Sequence, residues 1–289
     1  MHSRITLIAM LVLPVSSFCH AQQTATCDHW TYFKSFSASG INRWKTVVGS
    51  AQESGVTTGL PPVSGYIRWA DGGVQKYKFP GANETRFSKR NALGVTVGDV
   101  DFNHGLIVSG SSATTIDYPG APQTILTGIN KWDSMVGAYQ YNDDADFGPE
   151  WTGFKMWRNG SFATISAPGA INTNPNSISD TGIVVGWYES NIEPFTAHPS
   201  HGFVLANGVY KTIDYPNAFR TSLNDINSAG VIVGSWINSD GTGGGFVVVN
   251  GKIKDVFAPD GGSTAVNGIN DDGHVTGTSS AGSFIAHCQ

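Results

Sequence analysis

The chain is predicted to be an all-β, six-bladed β-propeller closed by pairing of its N- and C-terminal strands. Three observations predict it. A nine-residue phrase recurs six times, a second phrase built as a hairpin precedes each copy after the first, and successive copies of that second phrase lie between 38 residues (Gly245 to Ser283) and 49 residues (Gly153 to Gly202) apart. That period, made of short apolar strands and Gly-rich turns, is the length of one four-stranded blade.

The first phrase is best read at Ile226-Asn227-Ser228-Ala229-Gly230-Val231-Ile232-Val233-Gly234, and its other copies begin at Ile41, Arg90, Ile129, Ile178 and Ile269. Five copies place Asn second and one places Ser179 there. Either side chain accepts a hydrogen bond from the backbone two residues on, and a Gly three residues later supplies the positive φ that a tight turn needs. Lys45 and Asp133 replace that Gly in two copies. Asp tolerates a left-handed backbone better than Lys, so local strain or a different turn is expected in the first copy.

The second phrase is clearest from Gly202 to Pro216, where Asn207-Gly208 separates two runs of alternating β-branched and aromatic residues. That is the strongest short-range hairpin signal. It returns at Asn159-Gly160 and Asn250-Gly251, with degenerate copies from Gly65 to Pro80 and Gly105 to Pro119. Each copy closes on Pro, which cannot continue a ladder, and a polar loop follows. Two hairpins make the four strands of a blade.

This double phrase resembles the HAF-type extracellular repeat of secreted bacterial proteins, whose strands follow a kelch-like order. The resemblance spans Cys27 to Gln289 and implies a secreted propeller. It carries no shared catalytic motif, so it assigns no residue a role.

The chain ends supply the closure. The last copy of the second phrase stops after one strand, Ser283 to Gln289, while the first hairpin is preceded by the lone strand around Trp30-Thr31-Tyr32-Phe33. Joined, they complete a sixth blade and leave no open edge. Residues 1–21 hold one Arg, an apolar run from Ile5 to Val15 and a small-residue exit at Cys19-His20-Ala21, the pattern of a cleaved secretory signal. Residues 22–289 then form one propeller domain, secreted or periplasmic. Removal of the signal leaves Cys27 and Cys288, one at each end, and an exported pair on two strands that must meet is expected to be a disulfide.

Composition narrows the partners. A formal net charge of -5 with 13% charged residues and no basic run argues against nucleic acid. No apolar stretch after the signal approaches the ~20 residues of a membrane span, so none is expected, and a monomer is expected.

Function is expected on the face formed by the Pro-containing loops and the segments after Val-Gly, which vary most in length. The longest segments are 138–152 and 187–201. They carry Tyr139, Tyr141, Trp151, Trp187 and Tyr188 beside Glu150, Glu189, His198 and His201. Aromatic platforms beside carboxylates suit a carbohydrate, whose ring faces stack while its hydroxyls take hydrogen bonds. The bland alternative is that the aromatics pack long loops onto the rim and the acids are merely solvated. Asn142, Asp144 and Asp146 alternate as calcium ligands do, but Phe147 stands where a calcium loop turns on Gly, so no cofactor is expected and calcium is only a weak candidate. Asp99, Asp101 and Asp225 could join a catalytic carboxylate pair, and His104 lies on the same face, while nucleophile elbows, phosphate loops and zincin helices are absent. Two readings follow: a secreted binding or scaffold module for a carbohydrate or extracellular partner, and a secreted glycoside hydrolase or polysaccharide lyase.

Overall fold

The computed structural model describes residues 23–55, 60–144, 148–190 and 199–288, with the side chains of 142–144 and 148–149 left aside. Every regular element among them is a strand. The strands form six antiparallel four-stranded units. Unit I comprises Ser37–Ile41, Val47–Gln52, Val63–Arg68 and Val74–Tyr77. Unit II comprises Thr85–Arg90, Val95–Val100, His104–Ser109 and Ser112–Ile116. Unit III comprises Gln123–Ile129, Met135–Asp144, Gly148–Met156 and Phe162–Ile165. Unit IV comprises Ala170–Ile178, Val184–Ser190, Ser200–Ala206 and Val209–Thr212. Unit V comprises Arg220–Ile226, Ile232–Ile237, Gly243–Val249 and Lys252–Val256. Unit VI takes Ala265–Ile269, His274–Ser279 and Gly282–Cys288 from the C-terminus and Cys27–Phe33 from the N-terminus. By hydrogen bonding these are five sheets, because one parallel bridge, Ser200 to Arg220, joins units IV and V, and Gln23–Thr24 adds a short parallel strand to unit V.

The first and second strands of all six units share a β-bulge at one place, opposite Val-Gly in five units and Thr276-Gly277 in unit VI. The bulge swings a first-strand carbonyl inward. A Cβ on Gly98 would lie 1.8 Å from Arg86 O, and one on Gly277 would lie 1.9 Å from Ala265 O, so only Gly fits. The bulged residues reach the next unit: Thr127 Oγ1 donates to Pro175 O, Asn176 Nδ2 to Leu223 O, Asn224 Nδ2 to Val266 O and Asn267 Nδ2 to Ala38 O.

The turn asparagines form a second set of links. Each Oδ1 accepts the N–H groups two and four residues on, as Asn42 does from Trp44 and Thr46. Each Nδ2 crosses to the next unit. Asn42 donates to Asn91 O, Asn91 to Asn130 O, Asn130 to Ser179 O, Asn227 to Asn270 O, and Asn270 back to Asn42 O, at 3.0–3.2 Å. Ser179 lacks an amide. Between units IV and V the contact is made instead by Ser228 Oγ on Asp180 and by Ser177 Oγ on Asp225, at 3.1 and 2.5 Å.

Between the units lies the core, where Leu106, Phe154, Phe203, Phe246 and Phe284, each following a Gly or, at Ser283, a Ser within the third strand, are fully buried. Full burial of such side chains stabilises by roughly 1.5–3 kcal/mol each. Lys45 and Asp133 both take φ of 57° and make the same turn as the other copies, so the first copy is strained rather than rebuilt. Asn207-Gly208 and Asn250-Gly251 have positive φ at both residues, the expected two-residue turn. Asn159-Gly160 differs: only Gly160 is left-handed, and Trp157 closes a longer loop by bonding Ser161 O. At the chain ends Cys27 pairs in register with Cys288 and the two form a disulfide.

Candidate functional site

Each unit's first strand ends, like its third, at the face of short turns. The second-to-third and unit-to-unit connections emerge on the opposite face, where function is expected. The axis between the two faces is filled. The residue after each bulge is Gly40, Lys89, Gly128, Ser177, Asp225 or Gly268, and a Cβ on Gly40 would lie 2.8 Å from Lys89 Cδ. Lys89 Nζ bonds Ser39 O at 3.1 Å, Asn267 O at 2.7 Å and Asp225 Oδ2 at 3.0 Å, while Asp225 also takes Ser177 Oγ and Ile269 N. Both charges are buried and fully partnered, a plug that ties unit II to units I, V and VI. Asp225 is therefore committed to structure, as are Thr127 and Asn224 through their bulge links.

On the connection face a cleft of about 680 Å³ opens over unit I, walled by units VI and II. Its polar lining is Lys34, Ser37, Ser50, Gln52, Arg86, Thr278, Ser279 and Ser283, with neither carboxylate nor His. Arg86 is held by Glu84 at 2.5 Å and Asp99 at 3.4 Å, and lies 3.8 Å over the Phe102 ring. Asp101 and Phe102 are both left-handed at φ of 55°, a strained pair pinned by Glu84 N donating to Asp101 Oδ1. Burial pushes the Asp99 carboxyl up to about 6 against the opposing pull of Arg86.

The residues picked from the two long segments lie over units III and IV. Tyr139 stacks on Tyr118 with centroids 3.8 Å apart and packs in the unit III core. Tyr141 is exposed, and a hydrogen bond to Glu150 pushes its hydroxyl up to about 12. The two segments meet through Asn172, whose Oδ1 accepts Trp151 N at 2.8 Å and whose Nδ2 donates to Glu189 at 2.7 Å. Trp187 stands opposite Asn174 and Gly202 in its sheet. Tyr188 bonds Thr212 and lies against His201, which is paired with Asp214 at 2.9 Å. The same pairing joins His104 to Asp117 in unit II. These histidines thus sit on separate units, each with its own carboxylate. His198 and Asp146 lie outside the described residues, and the side chains of Asn142 and Asp144 are among those left aside. Among the described residues no three His, Cys, Asp or Glu are grouped to hold a metal, and no helix is long and apolar enough to cross a membrane.

Sequence reasoning passed over Lys34, Arg86, Asn172 and Lys89. Lys89 carried a signal, since it breaks a column otherwise made of Gly, Ser and Asp. Lys34 and Arg86 carried none, because the cleft is assembled from three units.

No protein-family model matches the sequence, and no curated protein matches it. Among solved structures, streptogramin B lyase is similar over 90% of this chain and 98% of its own, at 11% identity and a TM-score of 0.47. A triple arginine-to-alanine mutant of AofleA from Arthrobotrys oligospora is similar over 92% of this chain and 90% of its own, at 13% identity and a TM-score of 0.50. At such identity the likeness to AofleA speaks of architecture alone, and that architecture is the β-propeller.

Proposed function

We propose that the six units are the blades of one closed six-bladed propeller, that the chain is exported, and that it acts as a binding module for a carbohydrate on its connection face. Closure is supported by the asparagine links that return to Asn42 and by the N-terminal strand that completes unit VI. Export is supported by the disulfide and by the signal-like residues 1–21.

One observation carries the binding role: the cleft of about 680 Å³ is within the size range of ligand sites, and it offers hydroxyls, an amide and two cations but no acid or base pair. Among the described residues, His104 and His201 of this face are each spent on a carboxylate of their own blade. The rim of Tyr141, Trp151, Trp187 and Glu189 extends the surface over units III and IV. Screening the purified protein on a glycan array, then titrating the best ligand into Lys34→Ala, Gln52→Ala and Trp187→Ala, tests it. The cleft variants are expected to weaken binding about tenfold, and Trp187→Ala to do so if the ligand spans to the rim. Wild-type affinity in both cleft variants would remove the site from the cleft.

A second reading, a secreted hydrolase or lyase, rests on Asp99, a buried carboxyl pushed up to about 6 beside Arg86 at the cleft wall.

A further inference from the structure

The face of short turns carries a second ligand-sized recess. Units VI and I are separated there by a cleft of about 520 Å³ whose polar lining is His29, Thr31, Lys45, Arg68, His274 and His287. Five of the six carry or can take a positive charge, in a chain of formal net charge -5. The acids nearby are few: Asp28 contacts His29 at 2.7 Å and His287 at 3.5 Å, while burial and the Lys45 charge hold the His274 imidazole below its ordinary value against the pull of Asp272. Among the described residues neither Lys45 nor Arg68 has an ion pair. Arg68 is positioned by the Phe33 ring, 5.1 Å away, and by Trp69 O at 3.3 Å.

Two further observations point to a ligand. His274 Nδ1 is buried with no hydrogen-bond partner among the described residues, which is rare in a finished fold. Lys45 holds a left-handed φ of 57° at a position where four other copies of the phrase have Gly. A Lys there costs the backbone strain that Gly would avoid. The apolar part of the lining is Ala70 and Ile285, which give a sugar ring a face to lie on.

We propose that this cleft binds an anionic saccharide. Its carboxylate or sulfate group is held by Lys45 and Arg68, with the histidines as hydrogen-bond donors, and its ring lies against Ala70 and Ile285. Five cationic groups confined to one recess suit a few charges on a sugar rather than a continuous polyphosphate. The site is separate from the connection-face cleft and does not depend on it.

Calorimetric titration of the purified protein at pH 6 with an oligogalacturonate, a heparin oligosaccharide, maltohexaose and a single-stranded DNA oligomer tests the proposal, and the first two arms separate carboxylate from sulfate recognition. At least one anionic saccharide is expected to bind tenfold or more tighter than maltohexaose and DNA. Arg68→Gln and Lys45→Gly should each weaken it fivefold or more, whereas Lys211→Ala, an exposed cation on unit IV outside both clefts, should not. Lys45→Gly relieves the strained backbone, so its melting temperature should not fall, and a loss of binding in it cannot be ascribed to unfolding. Overturning results are DNA binding as tight as the saccharides, no anionic saccharide bound, or wild-type affinity in Lys45→Gly and Arg68→Gln.

Discussion

Lys45 and Asp133 share a turn position and a φ of 57°, yet replacement by Gly should act differently on the two. A left-handed non-Gly residue costs about 1–2 kcal/mol, and among the described residues the Lys45 side chain makes no hydrogen bond or ion pair that holds the turn, so Lys45→Gly should stabilise by about 1 kcal/mol in chemical denaturation. Asp133 Oδ1 also accepts Asn91 Nδ2 at 3.0 Å, so Asp133→Gly should gain little or lose. Equal gains at both sites would contradict the account. Asp99 makes a pH-dependent prediction. Burial raises its pKa from 3.8 to about 6, so the native state binds its proton more tightly than the unfolded chain does. Stability from this group is therefore complete below about pH 4 and is lost as pH rises through 6. Asp99→Asn cannot ionise. Its stability relative to wild type should improve between pH 4 and pH 7, by on the order of 3 kcal/mol, and a difference that is flat with pH would refute the burial argument.

At the scale of the strand and turn, the repeated asparagine does two things, and only one was legible. Its Oδ1 turning the chain follows from spacing along the sequence. Its Nδ2 crossing to the next unit does not, because the acceptor is far off in sequence, 49 residues from Asn42 to Asn91 and 228 from Asn270 to Asn42. The same limit hid the cleft, whose lining is drawn from three units, and the partners of Lys89. Patterns fixed by local geometry, the hairpins and the Gly of Val-Gly, were readable; contacts fixed by the arrangement of units were not. The crossing amide is testable. Asn130→Ala strips acceptors from the N–H groups of Trp132 and Ser134 and a donor from Ser179 O, and should cost about 2–3 kcal/mol. Ser179→Asn supplies the missing amide opposite Asn227 O and should stabilise by about 0.5–1.5 kcal/mol. A destabilising Ser179→Asn would mean that units IV and V approach differently from the rest.

For the whole molecule, the chain ends were the most readable feature. Two cysteines on strands that each lacked a partner predicted the pairing of Cys27 with Cys288, separated by 261 residues. Replacing both with Ser should lower stability by roughly 3–5 kcal/mol in the chain-entropy picture, measured as a fall in denaturation midpoint, and an unchanged midpoint would show that strand pairing alone holds the ends. Function at this scale turns on whether the connection face binds or transforms its ligand. The direct measurement is a long incubation of purified protein with the saccharides it captures on an array, followed by reducing-end and unsaturated-uronate assays alongside calorimetry. The account predicts saturable binding that weakens in Lys34→Ala and Gln52→Ala, with no new reducing ends and no unsaturated product. Product that accumulates with time and disappears in Asp99→Asn would contradict it and make the propeller an enzyme.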